Sequence, residues 1–311
     1  MSTFTSTNPA RPGEVVIELP SHTAADVDRA VATASEAQRS WAKRPVPERA
    51  EAVAAVGAVL TARKAELAEL VSREAGKIRI EGGGEVQEAI DMAAFVAGQG
   101  RSAMGEVVPS ELRNKMAWTT RIPIGVIGMI TPWNFPVAIP SWKIFPALLA
   151  GNGVVMKPSE LAPACGVAFV DACTEAGIPA DLIQVVHGGP EPAAALAIHP
   201  GVGAVSFTGS VPTGRKVAAA AMAVGPKLVS LELGGDARRD ARVDERDPAC
   251  GRQLGRLHHH AVAGEQRRED LPRRDRNREV PGGDHPDDPD RDPGGPRHLV
   301  AQLGGHDLTH R

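Results

Sequence analysis

Cysteine is scarce in this chain, with three residues among 311. Cys165, Cys173 and Cys250 lie at irregular spacing, which matches neither a disulfide framework nor a zinc-binding pattern. An excess of one charge is also lacking, since 35 basic and 38 acidic side chains leave a formal net charge of −3. We therefore expect no metal site and no nucleic-acid partner.

Long apolar runs are absent as well. The longest uncharged run, residues 122–142, contains four prolines and so does not resemble a membrane-spanning helix. Residues 1–12 are polar and lack the apolar region of a secretory signal. These absences predict a globular protein with no membrane partner and a cytoplasmic location.

Composition divides the chain near Gly235. Residues 1–235 contain all eight Lys and every Ile, Phe, Met and Trp. Residues 236–311 contain 15 Arg, 12 Asp and 7 His, with ten Val and Leu as their only sizeable apolar residues. That apolar content is too small to offset the entropy of ordering the segment. We predict an ordered domain over residues 1–235 and an aberrant, disordered tail over residues 236–311.

The abrupt switch at Gly235 has two interpretations. A GC-rich gene read in the wrong frame yields such a mixture of Arg, Asp, Pro, Gly and His. Back-translation of GRLHHH at 255–260, read one base later, gives Gly-Ala-Phe-Thr-Thr, an ordinary core sequence. Because the wobble bases are freely chosen, this favours a frame slip without proving it. A genuinely disordered tail is the alternative.

Helical patterns occupy the first hundred residues. Thr23 and Asp26 form a capping-box-like start, and apolar residues follow at helical spacing. A second helix is predicted over residues 47–75 and a third over residues 85–100.

Beyond residue 120, short buried-strand runs alternate with helical stretches such as 138–150 and 164–176. The strand runs are 125–130, 153–156, 182–186, 204–207 and 228–233. This alternation predicts an α/β fold with a parallel sheet covered by helices on both faces. Ligands of such sheets bind at the carboxyl ends of the strands.

Four motifs stand at those strand ends: PWNFP at 132–136, KPSE at 157–160, FTGSVPTG at 207–214 and LELGG at 231–235. In this order and spacing they closely resemble the aldehyde dehydrogenase superfamily, over nearly all of residues 5–235. The resemblance implies the family's Rossmann-like cofactor-binding domain, with the catalytic domain missing. It also implies NAD as the cofactor, with NADP as the alternative.

Asn134 is the first candidate catalytic residue. By resemblance, its side-chain amide and a backbone N–H of the nucleophile hold the oxyanion that forms when a thiolate attacks an aldehyde. A neutral donor suits this role because it stabilises developing charge without competing for a proton. The alternative is a turn asparagine between two prolines.

Lys157 and Glu160 are the candidate ribose-binding residues. By resemblance, the Lys157 ammonium donates to the ribose hydroxyls and Glu160 accepts from them. A carboxylate there repels a 2′-phosphate, which favours NAD over NADP. The alternative is an exposed Lys and Glu that cap the following helix.

Glycines shape the rest of the candidate cofactor site. Gly209 and Gly214 flank a predicted strand-to-helix turn, where missing Cβ atoms and a helix N-terminus suit a pyrophosphate. Ser210 is the candidate for a side-chain bond to phosphate, and Gly188 is expected to shape the adenine side. The alternative for the glycine pair is a simple turn.

Glu232 is the second candidate catalytic residue, because a carboxylate at the end of an apolar strand is costly to bury without a function. By resemblance it is a general base that activates the thiol or the hydrolytic water, and a pKa raised by burial suits that work. The alternative is a strand-end glutamate facing solvent. The resemblance assigns further cofactor contacts, beside Asn134 and Glu232, to Thr131, Pro132, Trp133, Ser159, Leu233 and Gly234.

The family's nucleophilic cysteine has no counterpart here. By resemblance it lies beyond LELGG in a Gly-Gln-x-Cys context, where this chain has Glu265-Gln266-Arg267-Arg268. Cys250 lies too early, and the two other cysteines fit small buried thiols. Two hypotheses follow. The gene encodes an enzyme that oxidises an aliphatic aldehyde or semialdehyde to its acid through a thioester, and the chain as written is inactive; or the chain is a catalytically dead nucleotide-binding fragment.

The resemblance also implies partners. The substrate is a small aldehyde, which the sequence does not specify further. Full-length members are homo-oligomers that pair through interdomain elements and strands around residues 113–122, and dimerisation of this shorter chain is in doubt.

Overall fold

The structure, a computed structural model, describes residues 2–102 and 105–234. The chain opens with an antiparallel hairpin of β1 (Thr3–Thr7) and β2 (Val15–Pro20), which the sequence patterns did not predict. Gly235 and the tail of residues 236–311, where we expected disorder, lie outside the described residues.

Four helices follow: α1 (Ala24–Trp41), α2 (Val46–Ala62), α3 (Lys64–Ala75) and α4 (Arg79–Gly98). The capping box at Thr23 and Asp26 is confirmed, with the Thr23 amide donating to the Asp26 carboxylate over 2.7 Å. The single helix predicted over 47–75 is wrong. It is divided at Arg63, whose backbone (φ −93°, ψ 8°) leaves helical values although neither Pro nor Gly marks the break.

The third predicted helix begins too late. Helix α4 starts at Arg79 rather than residue 85, and so includes three consecutive glycines, 82–84. Gly82 belongs there because a Cβ at this position would lie 2.7 Å from the carbonyl oxygen of Ala68 on α3. The glycine therefore permits close packing of two helices.

After a short ribbon of β3 (Val107–Val108) and β4 (Ala117–Trp118), the chain forms a five-stranded sheet. Its strands are β5 (Val126–Ile130), β6 (Gly153–Lys157), β7 (Ile183–Val185), β8 (Val202–Gly209) and β9 (Leu228–Leu233). Their order is β7-β6-β5-β8-β9, and every pairing is parallel. The predicted parallel sheet is confirmed.

The helices of this half are α5 (Ala138–Leu149), α6 (Pro163–Glu175), α7 (Pro190–Ile198) and α8 (Val211–Ala223). One apolar core includes Trp41, Phe145 and Phe169, and a second includes Val31 and Phe207. Strand residues contribute to both cores, so the central strands are covered on both faces, as predicted. Within the described ranges, no helix is long and apolar enough to cross a membrane.

Candidate functional site

The four motifs meet at one edge of the sheet. PWNFP follows β5, KPSE begins on the last residue of β6, and FTGSVPTG spans the end of β8 and the start of α8. LELGG closes β9, with the Gly234 amide donating to the Gly209 carbonyl over 3.2 Å. Because all five strands are parallel, their carboxyl ends lie at the same edge.

Lys157 is buried at this edge, with 5 % of the residue exposed. Its ammonium donates to Glu160 over 3.0 Å, and its backbone carbonyl accepts the Thr131 amide over 3.1 Å. Partial burial alone would raise the pKa of Glu160, but its own backbone amide and Lys157 together bring that pKa below its ordinary value. The alternative of an exposed Lys and Glu capping the next helix is wrong for Lys157. Ser159 accepts the Leu161 amide over 3.2 Å.

Three buried polar atoms at this edge lack a hydrogen-bond partner within the described residues: Thr131 Oγ1, His187 Nδ1 and Thr208 Oγ1. They follow or end β5, β7 and β8. Buried polar atoms are normally paired because desolvation without a partner is costly. Their concentration at one sheet edge indicates a place where a polar ligand completes the structure.

Asn134 lies in the loop between β5 and α5 and is exposed, as is its neighbour Trp133, while Pro132 is half-buried. Within the part of the chain that the structure describes, no hydrogen bond engages the Asn134 amide, so the local turn bond expected of a simple turn asparagine is not seen. The side chain is available to an incoming group.

The turn at the end of β8 differs from the prediction. Gly209 ends the strand, and Ser210 is the N-cap of α8, where its hydroxyl accepts the Thr213 amide over 3.4 Å. Gly214 does not flank the turn but lies within α8, because the helix already begins at Val211. A Cβ on Gly214 would lie 2.4 Å from Leu233 Cδ2, so this glycine permits α8 to pack on β9.

Gly188 follows β7 with φ +127°, a conformation that favours glycine. Its neighbour His187 is buried beside His22, with ring centroids 5.3 Å apart. Burial, followed by the charges of His22 and Lys157, lowers the pKa of His187 from 6.5 to about 4. His187 is therefore neutral at pH 7.

The expectation that Glu232 is buried is wrong. Glu232 is exposed rather than buried, because within residues 2–102 and 105–234 strand β9 pairs only with β8 and forms an edge of the sheet. With Lys143 it lines a cavity of about 740 Å³, whose wall also carries Ser206, Thr208 and Ser230. Lys143 donates to Ser206 over 2.7 Å; burial lowers the pKa of Lys143, and the charge of Glu232 opposes that shift.

Sequence reasoning missed three charged residues of this region. Lys143 has a visible signal, since it is the only charge in the apolar helix α5. Glu74 and Glu85 are buried carboxylates that cap helix N-termini, and their helical context resembles that of exposed glutamates.

The two described cysteines are unsuited to nucleophilic chemistry. Cys165 and Cys173 are fully buried on α6, and burial raises the pKa of each thiol. Cys250 lies outside the described residues. In residues 2–102 and 105–234, no group of three His, Cys, Asp or Glu side chains is placed to hold a metal ion.

Comparison with known proteins agrees with the motifs. The model of the aldehyde dehydrogenase family matches residues 1–239. The chain is 43% identical over 231 residues to α-ketoglutaric semialdehyde dehydrogenase of Bacillus subtilis, which covers 73% of this chain and 47% of that protein. It is 41% identical over 224 residues to malonate-semialdehyde dehydrogenase 1 of Geobacillus thermodenitrificans, covering 72% and 46%. The chain belongs to the aldehyde dehydrogenase family, and it spans about half the length of the curated relatives it matches.

Solved structures give the same result. An NAD-dependent benzaldehyde dehydrogenase from Corynebacterium glutamicum superposes with a TM-score of 0.72 at 34% identity, covering 75% of this chain and 51% of that one. A betaine aldehyde dehydrogenase from Staphylococcus aureus, crystallised in complex with NAD+, has a TM-score of 0.72 at 31% identity, covering 75% and 48%. The predicted Rossmann-like class of fold is confirmed.

Proposed function

We propose that residues 2–234 form the cofactor-binding part of an NAD-dependent aldehyde dehydrogenase. The observation that carries this proposal is the set of unpartnered buried atoms of Thr131, His187 and Thr208 at the motif-bearing edge of the sheet. A dinucleotide is rich in hydroxyl and phosphate oxygens and supplies partners for such atoms. NAD bound at this edge would accept a hydride from the substrate.

The N-terminus of α8 is the expected pyrophosphate position. The starts of α5 and α6 are already occupied by the carboxylates of Glu85 and Glu74. Helix α7 carries Glu191 in its first turn, whereas α8 has no acidic residue there. Because anions favour a helix N-terminus without competing carboxylates, α8 is the most suitable of these four helices. Ser210 would share its hydroxyl between capping and phosphate.

Lys157, Ser159 and Glu160 would hold the adenosine ribose. The buried Lys157 has an ammonium with two further donor hydrogens beyond its bond to Glu160. Glu160 remains half exposed and charged, and a carboxylate at this position disfavours the 2′-phosphate of NADP. We therefore propose NAD as the preferred cofactor and NADP as the weaker one.

Asn134 and Glu232 would perform the chemistry expected of the whole enzyme. The free amide of Asn134 would donate to the oxygen of the aldehyde as negative charge develops there. Glu232, on the wall of the 740 Å³ cavity, would accept a proton from the water that releases the acid. Pro132, Trp133, Leu233 and Gly234 would border the cofactor.

The substrate class is an aliphatic aldehyde or semialdehyde. The support is that the curated relatives include dehydrogenases of α-ketoglutaric and malonate semialdehydes. Cytoplasmic location remains part of this proposal, as does homo-oligomer formation by the full-length protein. Strand β4 lies in the expected pairing region of residues 113–122, where Met116 and Trp118 are exposed.

The chain as written would bind the cofactor without turnover, because its two described thiols are buried. A frame slip near Gly235 would account for the change of composition, although a one-base shift does not by itself restore a cysteine at residues 266–267. Resequencing the DNA across the codons for residues 234–237 tests this directly. A missing or extra base would support the frame slip, and a confirmed frame would favour a nucleotide-binding fragment.

Purified protein tests the two functional hypotheses. We expect saturable NAD binding by the 311-residue chain and no NADH formation with malonate semialdehyde or α-ketoglutaric semialdehyde. NADH formation that depends on a free thiol would overturn the inactive interpretation. Failure of a folded chain to bind NAD would overturn the cofactor site.

A further inference from the structure

Two carboxylates are buried near the motif-bearing edge of the sheet. Neither belongs to the cofactor-binding or catalytic residues proposed above. Glu74 lies at the end of α3 and is 2 % exposed; the side chain of Glu85 on α4 is fully buried. Between them the chain turns at Gly76, with φ +70°, and continues to Lys77. A buried carboxylate is retained only where hydrogen bonds or charges compensate its desolvation.

Glu74 caps α6 from a different layer of the molecule. Its Oε1 accepts the Ser6 hydroxyl over 2.7 Å and the Ala164 amide over 2.9 Å, and its Oε2 accepts the Cys165 amide over 2.8 Å. Helix α6 has no capping side chain of its own, since its N-cap is Ala162. Glu74 thereby satisfies two amides of the first turn, which directly follows the KPSE loop.

Glu85 does the same for α5. Its Oε1 accepts the Val137 amide over 2.7 Å and the Ala138 amide over 3.3 Å, while its Oε2 accepts the Lys77 ammonium over 2.7 Å. The same ammonium lies 3.6 Å from the ring centroid of Phe135. The helix start and the residue after Asn134 are therefore both held by this ion pair.

We propose that Glu74 and Glu85 are positioning residues, each for one half of the site. Glu74 fixes the KPSE loop through the first turn of α6, and Glu85 with Lys77 fixes the PWNFP loop through the first turn of α5. The consequence for ligand binding rests on the proposed cofactor function. The consequence for loop order does not, because it follows from contacts within the chain.

A glutamine at either position breaks the arrangement with almost no change of shape. Each carboxylate receives donors on both oxygens, and an amide replaces one oxygen with an NH₂ donor. One donor–acceptor contact then becomes a donor–donor contact. The variants Glu74→Gln and Glu85→Gln are therefore matched to each other, and Glu88→Gln, on an exposed position of α4, is the control.

Hydrogen exchange of the full chain, followed by mass spectrometry, is the decisive readout. In Glu85→Gln we expect the amides of Val137 and Ala138 to exchange about tenfold faster, while those of Ala164 and Cys165 change little. Glu74→Gln should give the reverse pattern, and Glu88→Gln should change neither. Lys77→Met should reproduce the Glu85→Gln pattern in weaker form. Equal acceleration of both segments, or of neither, would overturn the proposal.

AMP binding, measured by calorimetry, tests the consequence for the ligand. AMP probes the adenosine side alone, so Glu74→Gln should weaken it several-fold while Glu85→Gln leaves it within about twofold. The opposite order would contradict the assignment of Glu74 to the ribose half. If the unmodified chain binds no AMP, the cofactor site fails, and hydrogen exchange still decides the positioning roles.

Discussion

The two sides of the sheet edge are built differently. On the β5–β6 side, buried carboxylates hold the loops: Glu85 caps the start of α5 and Glu74 caps the start of α6. On the β8–β9 side, Ser210 caps α8 from within its own turn, and β9 leaves Glu232 exposed. Within the described residues, buried carboxylates therefore hold the loops of the proposed cofactor contacts, and the side of the proposed chemistry is open.

The largest effect is expected at Arg49, which binds backbone carbonyls near the opposite end of α5 from Glu85. This buried guanidinium donates to the Leu149 carbonyl over 2.9 Å, the Ala42 carbonyl over 3.3 Å and the Arg44 carbonyl. Arg49→Met leaves these acceptors unpaired and should lower the free energy of unfolding by about 3 kcal/mol. Urea unfolding measures this.

The matched control is Arg39→Met, which removes an exposed pair with Glu36. Such pairs contribute about 0–1 kcal/mol. Equal losses for Arg39→Met and Arg49→Met would contradict the special role of the buried guanidinium.

The packing of α8 on β9, on the β8–β9 side of the sheet edge, can be tested at Gly214. A Cβ there would meet Leu233 at 2.4 Å and the Phe207 ring at 3.2 Å, so Gly214→Ala should destabilise by about 2 kcal/mol. Gly84→Ala is the matched control. It should not lower the free energy of unfolding, because a Cβ there meets nothing within 4 Å and alanine favours a helix interior. A stabilising Gly214→Ala in thermal unfolding would show that α8 and β9 are not packed as described.

The pH dependence of stability should depend on His187. Its pKa falls from 6.5 to about 4 on folding, chiefly through burial. The unfolded chain therefore takes up this proton first, and stability should fall as the pH decreases from 6.5 toward 4. His187→Gln should reduce that slope in urea unfolding at a series of pH values. An unchanged slope would mean that other groups account for it.

A smaller effect is expected at Glu160. Glu160→Gln removes the charge that disfavours a 2′-phosphate, so the ratio of the NADP and NAD dissociation constants should fall several-fold. Calorimetric titration with both cofactors measures the ratio. A ratio that rises instead would assign the discrimination to another residue.

The sequence was sufficient for the parts of the site that local chemistry determines. Apolar strand runs ending in KPSE or LELGG placed Lys157 and Glu232 at one sheet edge, because parallel strands share that edge. The sequence was insufficient where contacts between distant segments determine whether a side chain is buried or exposed. The burial of Glu85 depends on an amide 52 residues away, and the exposure of Glu232 depends on the position of β9 at the edge of the sheet that the described residues form. The predicted third helix likewise left out Gly82, whose place in α4 depends on close packing against α3.

The most direct test of the central claim is calorimetric titration of NAD into the 311-residue chain and its Lys157→Met variant, with Lys43→Met as the exposed control. We expect saturable binding at one site, unchanged in Lys43→Met and weakened at least about tenfold in Lys157→Met, because a charged hydrogen-bond donor is lost. Circular dichroism would confirm that each protein is folded. A folded chain that binds no NAD, or binds it equally with methionine at position 157, would contradict the cofactor site.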